Sequence, residues 1–167
     1  MLIQPDSFKI PRSVLVVIYV PPVATALQGD NAMSWADAPV LLLERSGHVG
    51  FWQSVTGSLD AMDEPFEQAA VREVLEETGI DASANGAQLC DWGLENVYEI
   101  YPQWRWRYAP QVSHNTERVF GLRLTSKLSV CISSEHTAYA WLPMSQAMER
   151  CFSPSNAEAI SWLPRLG

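Results

Sequence analysis

One stretch of sequence, residues 57–80, restricts the possible folds of this chain more than any other. It reads GSLDAMDEPFEQAAVREVLEETGI, a glycine loop followed by a long acidic segment. The segment predicts a helix from Pro65 to Thr78, because proline is tolerated in a first turn and Asp63 suits the N-cap position. Gly79 and the apolar residue after it are typical of a helix C-terminus. The stretch therefore predicts one helix entered through a glycine loop.

The predicted helix has two chemically different sides at about 100° per residue. The apolar side, which we expect to face a core, consists of Val71, Val74, Leu75 and Thr78. The acidic side consists of Glu73, Glu76 and Glu77, within an arc of about 100°. Such a pattern is ordinarily a solvated acidic surface. Hard oxygen ligands on one face would also suit Mg²⁺ or Mn²⁺ bound together with a phosphate.

This stretch resembles the Nudix box, Gly-x5-Glu-x7-Arg-Glu-U-x-Glu-Glu-x-Gly-U, where U is a bulky apolar residue. Every specified position from Glu64 to Ile80 fits. Six residues rather than five separate Gly57 from Glu64. Either the loop carries one extra residue, or Asp63 takes part of the role of Glu64. The extra residue precedes the helix, so the spacing of the glutamates is unchanged.

Apolar and β-branched runs on both sides of the helix predict the strands. We expect strands at residues 13–20, 40–45, 51–56, 88–100 with a break near Gly93, 117–124 and 138–142, and helices at 144–151 and 156–163. Residues 21–38 are expected to form a surface insertion between strands. Strands around one long helix, with helices at the end, predict a mixed sheet between helices. The Nudix resemblance implies the same α/β/α sandwich, formed by a single domain over residues 1–167.

Charge and composition exclude several classes of partner. The 167 residues carry a formal net charge of −8, whereas a general duplex binder needs a basic face, so no nucleic-acid partner is expected. The apolar run from Val14 to Val20 is too short to span a membrane, and the N-terminus lacks a signal-peptide pattern. The three cysteines are scattered without metal-ligand spacing, which favours free thiols in a reducing cytoplasm.

Sequence outside the box resembles a branch of the Nudix family that acts on dihydroneopterin triphosphate in bacterial folate synthesis. The segments that carry this resemblance are SVLVVIY at 13–19, FWQSVTGS at 51–58, RYAP at 107–110, NTE at 115–117 and EHTAYAWL at 135–142. The resemblance implies hydrolysis of 7,8-dihydroneopterin 3′-triphosphate to the monophosphate and pyrophosphate. One alternative is a nucleoside triphosphate pyrophosphatase acting, for example, on dATP. A non-catalytic nucleotide-binding module is a further alternative, although such modules usually lose box glutamates.

The resemblance also implies which residues do the chemistry. Mg²⁺, with Mn²⁺ as a possible substitute, would be held by Glu73, Glu76, Glu77 and Glu135. Glu135 is the first candidate for the general base and Glu76 is the second. Arg72 completes the catalytic set and is expected to hold the glutamates rather than to touch the substrate. Contacts to a pterin or nucleoside triphosphate would come from Lys9, Arg45, Thr56, Tyr98, Glu99, Ile100, Tyr101 and Ser153.

Residues 98–110, YEIYPQWRWRYAP, alternate aromatic side chains with arginines. The pattern fits a two-faced edge strand with its arginines in solvent. It fits equally well the wall of a pocket, with aromatic rings stacked on a flat heterocycle and guanidinium groups on phosphate. In the second case Tyr98 and Tyr101 would flank the pterin, while Lys9 and Arg45 would supply positive charge.

Overall fold

The computed structural model describes residues 7–23 and 34–167, and these form a seven-stranded sheet with helices on both faces. The strands are β1 Arg12–Tyr19, β2 Pro39–Arg45, β3 Trp52–Gln53, β4 Val55–Ser58, β5 Ala87–Glu99, β6 His114–Leu124 and β7 His136–Pro143. The α-helices are α1 Phe66–Thr78, α2 Met144–Arg150, α3 Pro154–Ser161 and α4 Leu163–Leu166. The main strand order is β3-β2-β1-β6-β5, with β4 also paired to β1 and β7 to β2.

The register of the sheet brings several strand termini together at one end of the sheet. Strand β1 runs parallel to β6, and Ser13 lies opposite Glu117. The same Ser13 lies opposite Ser58 of the antiparallel β4. Strand β5 is antiparallel to β6 and brings Tyr98 opposite Asn115. The starts of β1 and β6 therefore meet the ends of β4 and β5, and the sheet is mixed, as predicted.

Alternate residues of the central strands build two separate cores. The core on the α1 face includes Val14, Val16, Ile18, Phe120 and Leu122 of the sheet with Ala69, Ala70 and Val74 of the helix. The core on the opposite face includes Leu15, Val17, Leu42 and Val119 of the sheet with Ala147, Ile160 and Leu163 of the C-terminal helices. Each fully buried Val, Leu, Ile or Phe side chain stabilises the fold by about 1.5–3 kcal/mol. The predicted α/β/α sandwich is confirmed.

Helix α1 differs from the prediction in its N-terminus and in its rotation. It begins at Phe66 after Pro65, and Asp63 is exposed, so no side chain caps it. Leu75 is 53% exposed, so its assignment to the core was wrong. The buried residues of α1 are Ala69, Ala70, Val74, Glu77 and Thr78. The small alanines let the helix lie close to the sheet along this stripe, which turns Leu75 outwards.

The aromatic segment after β5 is not an edge strand. Pairing stops at Glu99, and Pro102–Arg107 form a 3-10 helix. Proline has no N–H to offer a neighbouring strand, so Pro102 ends the ladder. The predicted break near Gly93 is confirmed by a register shift between Asp91 and Leu94. Most of the predicted 21–38 insertion, residues 24–33, lies outside the described residues.

Candidate active site

A cavity of about 770 Å³ opens at the end of the sheet where these strand termini meet. All of the predicted site residues except Glu77 line it. They come from the segment before β1 and from the loops and elements around β2, β4, α1, β5, β7 and α3. Residues that are distant in sequence therefore share one solvent-accessible space. The exception, Glu77, is buried and only 4% exposed.

Arg72 holds the glycine loop and the first glutamates of the box together. Its Nε and Nη2 atoms donate to the two carboxylate oxygens of Glu64, both at 3.1 Å. Its Nη1 atom donates to Glu73 at 2.7 Å, and Nη2 also donates to the carbonyl oxygen of Ser58 at 3.1 Å. Such a planar fork matches a carboxylate in a way that lysine cannot. Arg72 is thus placed to orient the loop and Glu73.

The extra residue of the loop leaves Glu64 in its expected place. Glu64 accepts hydrogen bonds from Arg72 and from the backbone amide of Asp60, the latter at 2.6 Å. The hydrogen bond from Arg72 holds the pKa of Glu64 below its usual range. Asp63 is exposed, so it does not replace Glu64 as the partner of Arg72. The insertion is therefore absorbed between Gly57 and Glu64 before the helix begins.

Glu73 and Glu77 are carboxyl groups that are difficult to ionise in the metal-free protein. Burial raises the pKa of Glu73 to about 7, although Arg72 acts in the opposite direction. Burial, followed by repulsion from Glu73 and Glu135, raises the pKa of Glu77 to about 9. The Oε2 atom of Glu77 is buried and has no hydrogen-bond partner in the part of the chain that the structure describes. These groups share one electrostatic environment in which negative charge is unfavourable.

His136 lies next to Glu77 but does not neutralise it. Its Nε2 atom is 4.0 Å from Oε2 of Glu77. Burial lowers the pKa of His136, which favours the uncharged ring, and neither ring nitrogen has a hydrogen-bond partner among the described residues. The contact is therefore not an ion pair. A buried carboxylate without a compensating charge is costly unless a cation approaches it.

The donor set of this region fits a divalent cation. Glu73, Glu76 and Glu135 present carboxylate oxygens, which are hard ligands, to the cavity, and the buried Glu77 carboxyl lies close enough to Glu73 and Glu135 to be repelled by both. A bound cation would offset the burial and the mutual repulsion that together raise the pKa of Glu77. In the described part of the chain, no three acidic, histidine or cysteine side chains are already gathered as a metal site. One reason is that Glu73 is turned towards Arg72.

Positive side chains line the cavity beside the acidic helix. Lys9, Arg45 and Arg107 all contribute to the lining. The backbone amide of Lys9 donates to the carbonyl oxygen of Arg107 at 2.8 Å, which ties the segment before β1 to the aromatic segment. Burial and the nearby Arg107 lower the pKa of Lys9. Clustered cations of this kind suit a polyphosphate, whose charge would relieve their repulsion.

An aromatic wall forms another side of the cavity, and sequence reasoning found only part of it. The rings of Phe51 and Phe152 stack with centroids 4.0 Å apart. Trp104 meets Phe51 edge-on at 5.7 Å and Tyr101 at 5.5 Å. The guanidinium group of Arg45 lies over Trp104 at 5.7 Å. Tyr101 was a predicted substrate contact, whereas Phe51, Phe152 and Trp104 were not. Phe51 belongs to the FWQSVTGS segment and Trp104 to the alternating aromatic segment, so the sequence contained a signal for these two.

The remaining predicted contacts occupy less distinctive positions. Thr56 accepts a weak hydrogen bond from Gln53 at 3.4 Å, and Ser153 bonds to Ser155 at 2.7 Å. Ile100 is buried, while Glu99 is exposed and 3.8 Å from Arg105. All four line the cavity, but their contacts are mainly structural. Sequence reasoning also left out Asn115 and Glu117, two buried polar residues of the lining.

The family model described as NUDIX domain matches residues 22–163. The chain belongs to the Nudix family. Nudix hydrolases generally use divalent metal ions, which agrees with the carboxylate-rich helix α1. Among the described residues, no helix has both the length and the apolar character that a membrane span requires.

Several similar proteins carry a more specific name. Dihydroneopterin triphosphate diphosphatase of Haemophilus influenzae is 36% identical over 154 residues, covering 92% of this chain and 87% of the relative. The Escherichia coli protein of the same name is 39% identical over 153 residues, covering 92% and 91%. A solved structure of the E. coli dihydroneopterin triphosphate pyrophosphohydrolase superposes with a TM-score of 0.77 at 39% identity, covering 93% of this chain and 96% of that one. This Nudix chain thus resembles these relatives over nearly its whole length.

Proposed function

We propose that this chain hydrolyses 7,8-dihydroneopterin 3′-triphosphate to dihydroneopterin monophosphate and pyrophosphate. The observation that carries the proposal is one cavity lined by Glu73, Glu76 and Glu135, by the cationic side chains of Lys9, Arg45 and Arg107, and by an aromatic wall. A substrate with a flat heterocycle and a triphosphate tail needs these three surfaces together. The names of relatives that are 36–39% identical over 92% of the chain support the same substrate.

The reaction breaks the anhydride bond between the α- and β-phosphoryl groups, and one water molecule is consumed. The proposed cofactor is Mg²⁺, with Mn²⁺ as a substitute, held by Glu73, Glu76, Glu77 and Glu135. When bound, it would supply positive charge that offsets the triphosphate oxygens and favours attack by water. The protein would contribute orientation, because the acceptor atoms and the charges of the cavity are set before the substrate arrives.

Individual side chains have distinct proposed roles. Lys9, Arg45 and Arg107 bind the phosphate chain, and Arg72 positions Glu73 without touching the substrate. We assign Glu135 as the base that takes the proton of the attacking water, with Glu76 as the alternative. Both line the cavity, so a Gln substitution of each one separates them: when kcat is measured at saturating Mg²⁺, the variant with the larger loss of kcat identifies the base.

A nucleoside triphosphate pyrophosphatase is the second candidate, because the aromatic wall can stack a purine as well as a pterin. The test is to measure kcat/KM for dihydroneopterin triphosphate, dATP and dGTP with Mg²⁺, and to identify pyrophosphate as the product. The proposal expects the pterin substrate to be preferred. Efficient dATP hydrolysis with no preference for the pterin would favour the second candidate. A well-folded protein that turns over none of the three would be a binding module.

The proposed setting is the cytoplasm. Cys90, Cys131 and Cys151 are all free thiols, and a reducing compartment keeps thiols in this state. Cell fractionation followed by immunodetection would test this location.

A further inference from the structure

Two buried polar residues of the cavity have hydrogen-bond acceptors that no group among the described residues uses. Asn115 is 2% exposed and Glu117 is 4% exposed, and both line the cavity. The Oδ1 atom of Asn115 and the Oε1 atom of Glu117 are buried and have no hydrogen-bond partner within residues 7–23 and 34–167. Buried polar atoms are nearly always paired in folded proteins, so two unpaired acceptors in one cavity indicate a ligand that donates to them.

The hydrogen bonds around Asn115 explain why the free atoms are acceptors. Its Nδ2 atom donates to Oγ of Ser13 at 2.7 Å and to Oη of Tyr98 at 3.0 Å. The donor end of the amide is therefore occupied, and the carbonyl oxygen is the end that remains. Glu117 is two residues further along β6, so its side chain lies on the same face of the sheet as that of Asn115. A carboxylate accepts hydrogen bonds and donates none, so Glu117 adds further acceptors at this place.

The surroundings of Glu117 do not satisfy it. Burial raises its pKa to about 7, and the side chain of Asn96 offsets only part of this effect. Tyr98 faces the same group, and its phenol pKa is raised by burial and by Glu117. A carboxyl group kept in such a place lowers the stability of the unliganded protein, which is typical of groups that serve binding.

We propose that Glu117 and Asn115 recognise the 2-amino-4-oxopyrimidine edge of the substrate ring. This edge carries an amino group beside a ring N–H, so it presents adjacent donors to the Glu117 carboxylate, and the second amino hydrogen is available to Asn115. The assignment rests on the proposed function, because dihydroneopterin contains this edge. Guanine contains it as well, whereas adenine places an amino group beside a ring nitrogen that is itself an acceptor.

The arrangement therefore selects against adenine by repulsion as well as by lost contacts. A ring nitrogen lone pair that faces a buried carboxylate is unfavourable, and one acceptor of the protein stays unpaired. Sites built to bond a particular donor reject analogues without it strongly. Gln at position 117 would present one donor and one acceptor, which is the complement of the adenine edge.

The experiment measures kcat/KM at pH 8, where Glu117 is ionised, for dihydroneopterin triphosphate, dGTP and dATP. We expect Glu117→Gln to reduce kcat/KM by about 100-fold for the first two and by less than about threefold for dATP. The matched control is Glu95→Gln, an exposed carboxylate on the neighbouring strand that lies 3.5 Å from Arg118, and it should leave all three values unchanged. An equal loss on the three substrates, or no loss, overturns the inference.

Binding measurements separate this inference from the proposed function. Without metal, the wild type should bind 7,8-dihydroneopterin and guanosine more tightly than adenosine, and Glu117→Gln should remove the difference. If guanosine binding depends on Glu117 but dihydroneopterin triphosphate is not hydrolysed, the proposed function is overturned, while the proposed recognition of the pyrimidine edge by Glu117 is kept. If the pterin substrate is hydrolysed and the variant keeps its preference, the recognition fails alone. If Glu117→Gln does not fold, Glu117→Asp takes its place. Its shorter side chain keeps the negative charge but moves it away from the bound ring, so it must show the same substrate-selective loss.

Discussion

The carboxyl group of Glu73 lies directly against the backbone of Gly57. A Cβ atom at residue 57 would overlap the Glu73 carboxyl carbon and both of its oxygens. Gly57 does not have a positive φ, so its role is to leave space rather than to supply an unusual backbone conformation. Gly57 and Glu73 thus form one structural unit, in which Arg72 joins Glu73 to the carbonyl oxygen of the adjacent Ser58.

Gly57→Ala should reduce kcat by at least about tenfold, equivalent to about 1.4 kcal/mol, because the new methyl group displaces Glu73. The measurement is steady-state kcat with Mg²⁺, together with thermal unfolding to verify folding. A double-mutant cycle supplies the control. Once Glu73→Ala has removed the carboxyl group, adding Gly57→Ala should reduce kcat little further. Additive losses would mean that residue 57 acts on something other than Glu73.

Glu77→Gln should reduce kcat by about 100-fold or more, equivalent to about 2.7 kcal/mol, because it removes the negative charge of a proposed metal ligand. The fold should remain intact, since glutamine has nearly the same shape. Wild-type turnover by this variant would place the cation elsewhere. Glu67→Gln, an exposed position near the start of the same helix, is the matched control and should retain full activity.

The metal-free protein should become less stable as pH rises from about 4.5 to 9. The folded pKa of Glu77 is about 9, whereas an unfolded carboxyl has a pKa near 4.5, so between these values the folded state binds the extra proton. This contribution to stability is complete below about pH 4.5 and is lost as pH rises through the folded pKa.

Thermal unfolding in EDTA checks this prediction with Glu77→Gln as the comparison. The difference in Tm, variant minus wild type, should increase from pH 5 to pH 8. Excess Mg²⁺ at pH 8 should raise the Tm of the wild type and have less effect on the variant. A difference that is constant across this range would contradict the assigned burial of the carboxyl group.

Arg72→Lys should lower the free energy of unfolding by about 1–3 kcal/mol and should also reduce kcat. Lysine cannot reproduce the two parallel bonds to Glu64 while also bonding Glu73. Urea denaturation and steady-state kinetics measure the two effects. Arg118→Lys is the control: Arg118 makes a similar fork with Asp91 outside the cavity, so it should leave kcat unchanged.

Phe152→Ala should raise KM about tenfold for substrates with a flat ring and leave kcat nearly unchanged. Phe152 stacks on Phe51 in the aromatic wall, and stacking of a base on an aromatic side chain contributes about 1–3 kcal/mol. Because Phe152 is 45% exposed, the fold should lose little stability. Trp106→Ala, which removes an exposed ring of the same region outside the cavity lining, should not change KM.

Local sequence patterns predicted much of the fold because they report directly on which side of an element is buried. The continuous apolar run of β1 predicted a buried strand, in which Val14 and Val16 belong to a core, and the glycine, arginine and glutamate spacing located helix α1. The same reasoning wrongly assigned Leu75 to the core. A helical wheel gives the order of residues around a helix, but it does not show how the helix is rotated against the sheet. The small size of Ala69 and Ala70 became informative only after the sheet was known.

The sequence by itself determined the family and the helix that carries the acidic side chains, since these depend on short-range spacing, but it identified only a minority of the residues that line the cavity. Only the tertiary structure decided that Glu77 is buried beside His136, that Phe152 stacks on Phe51, and that Glu117 keeps an unpaired oxygen. These relationships join residues far apart in the chain. Strand register and helix packing set them, and neither is encoded in the local pattern around any one of the residues.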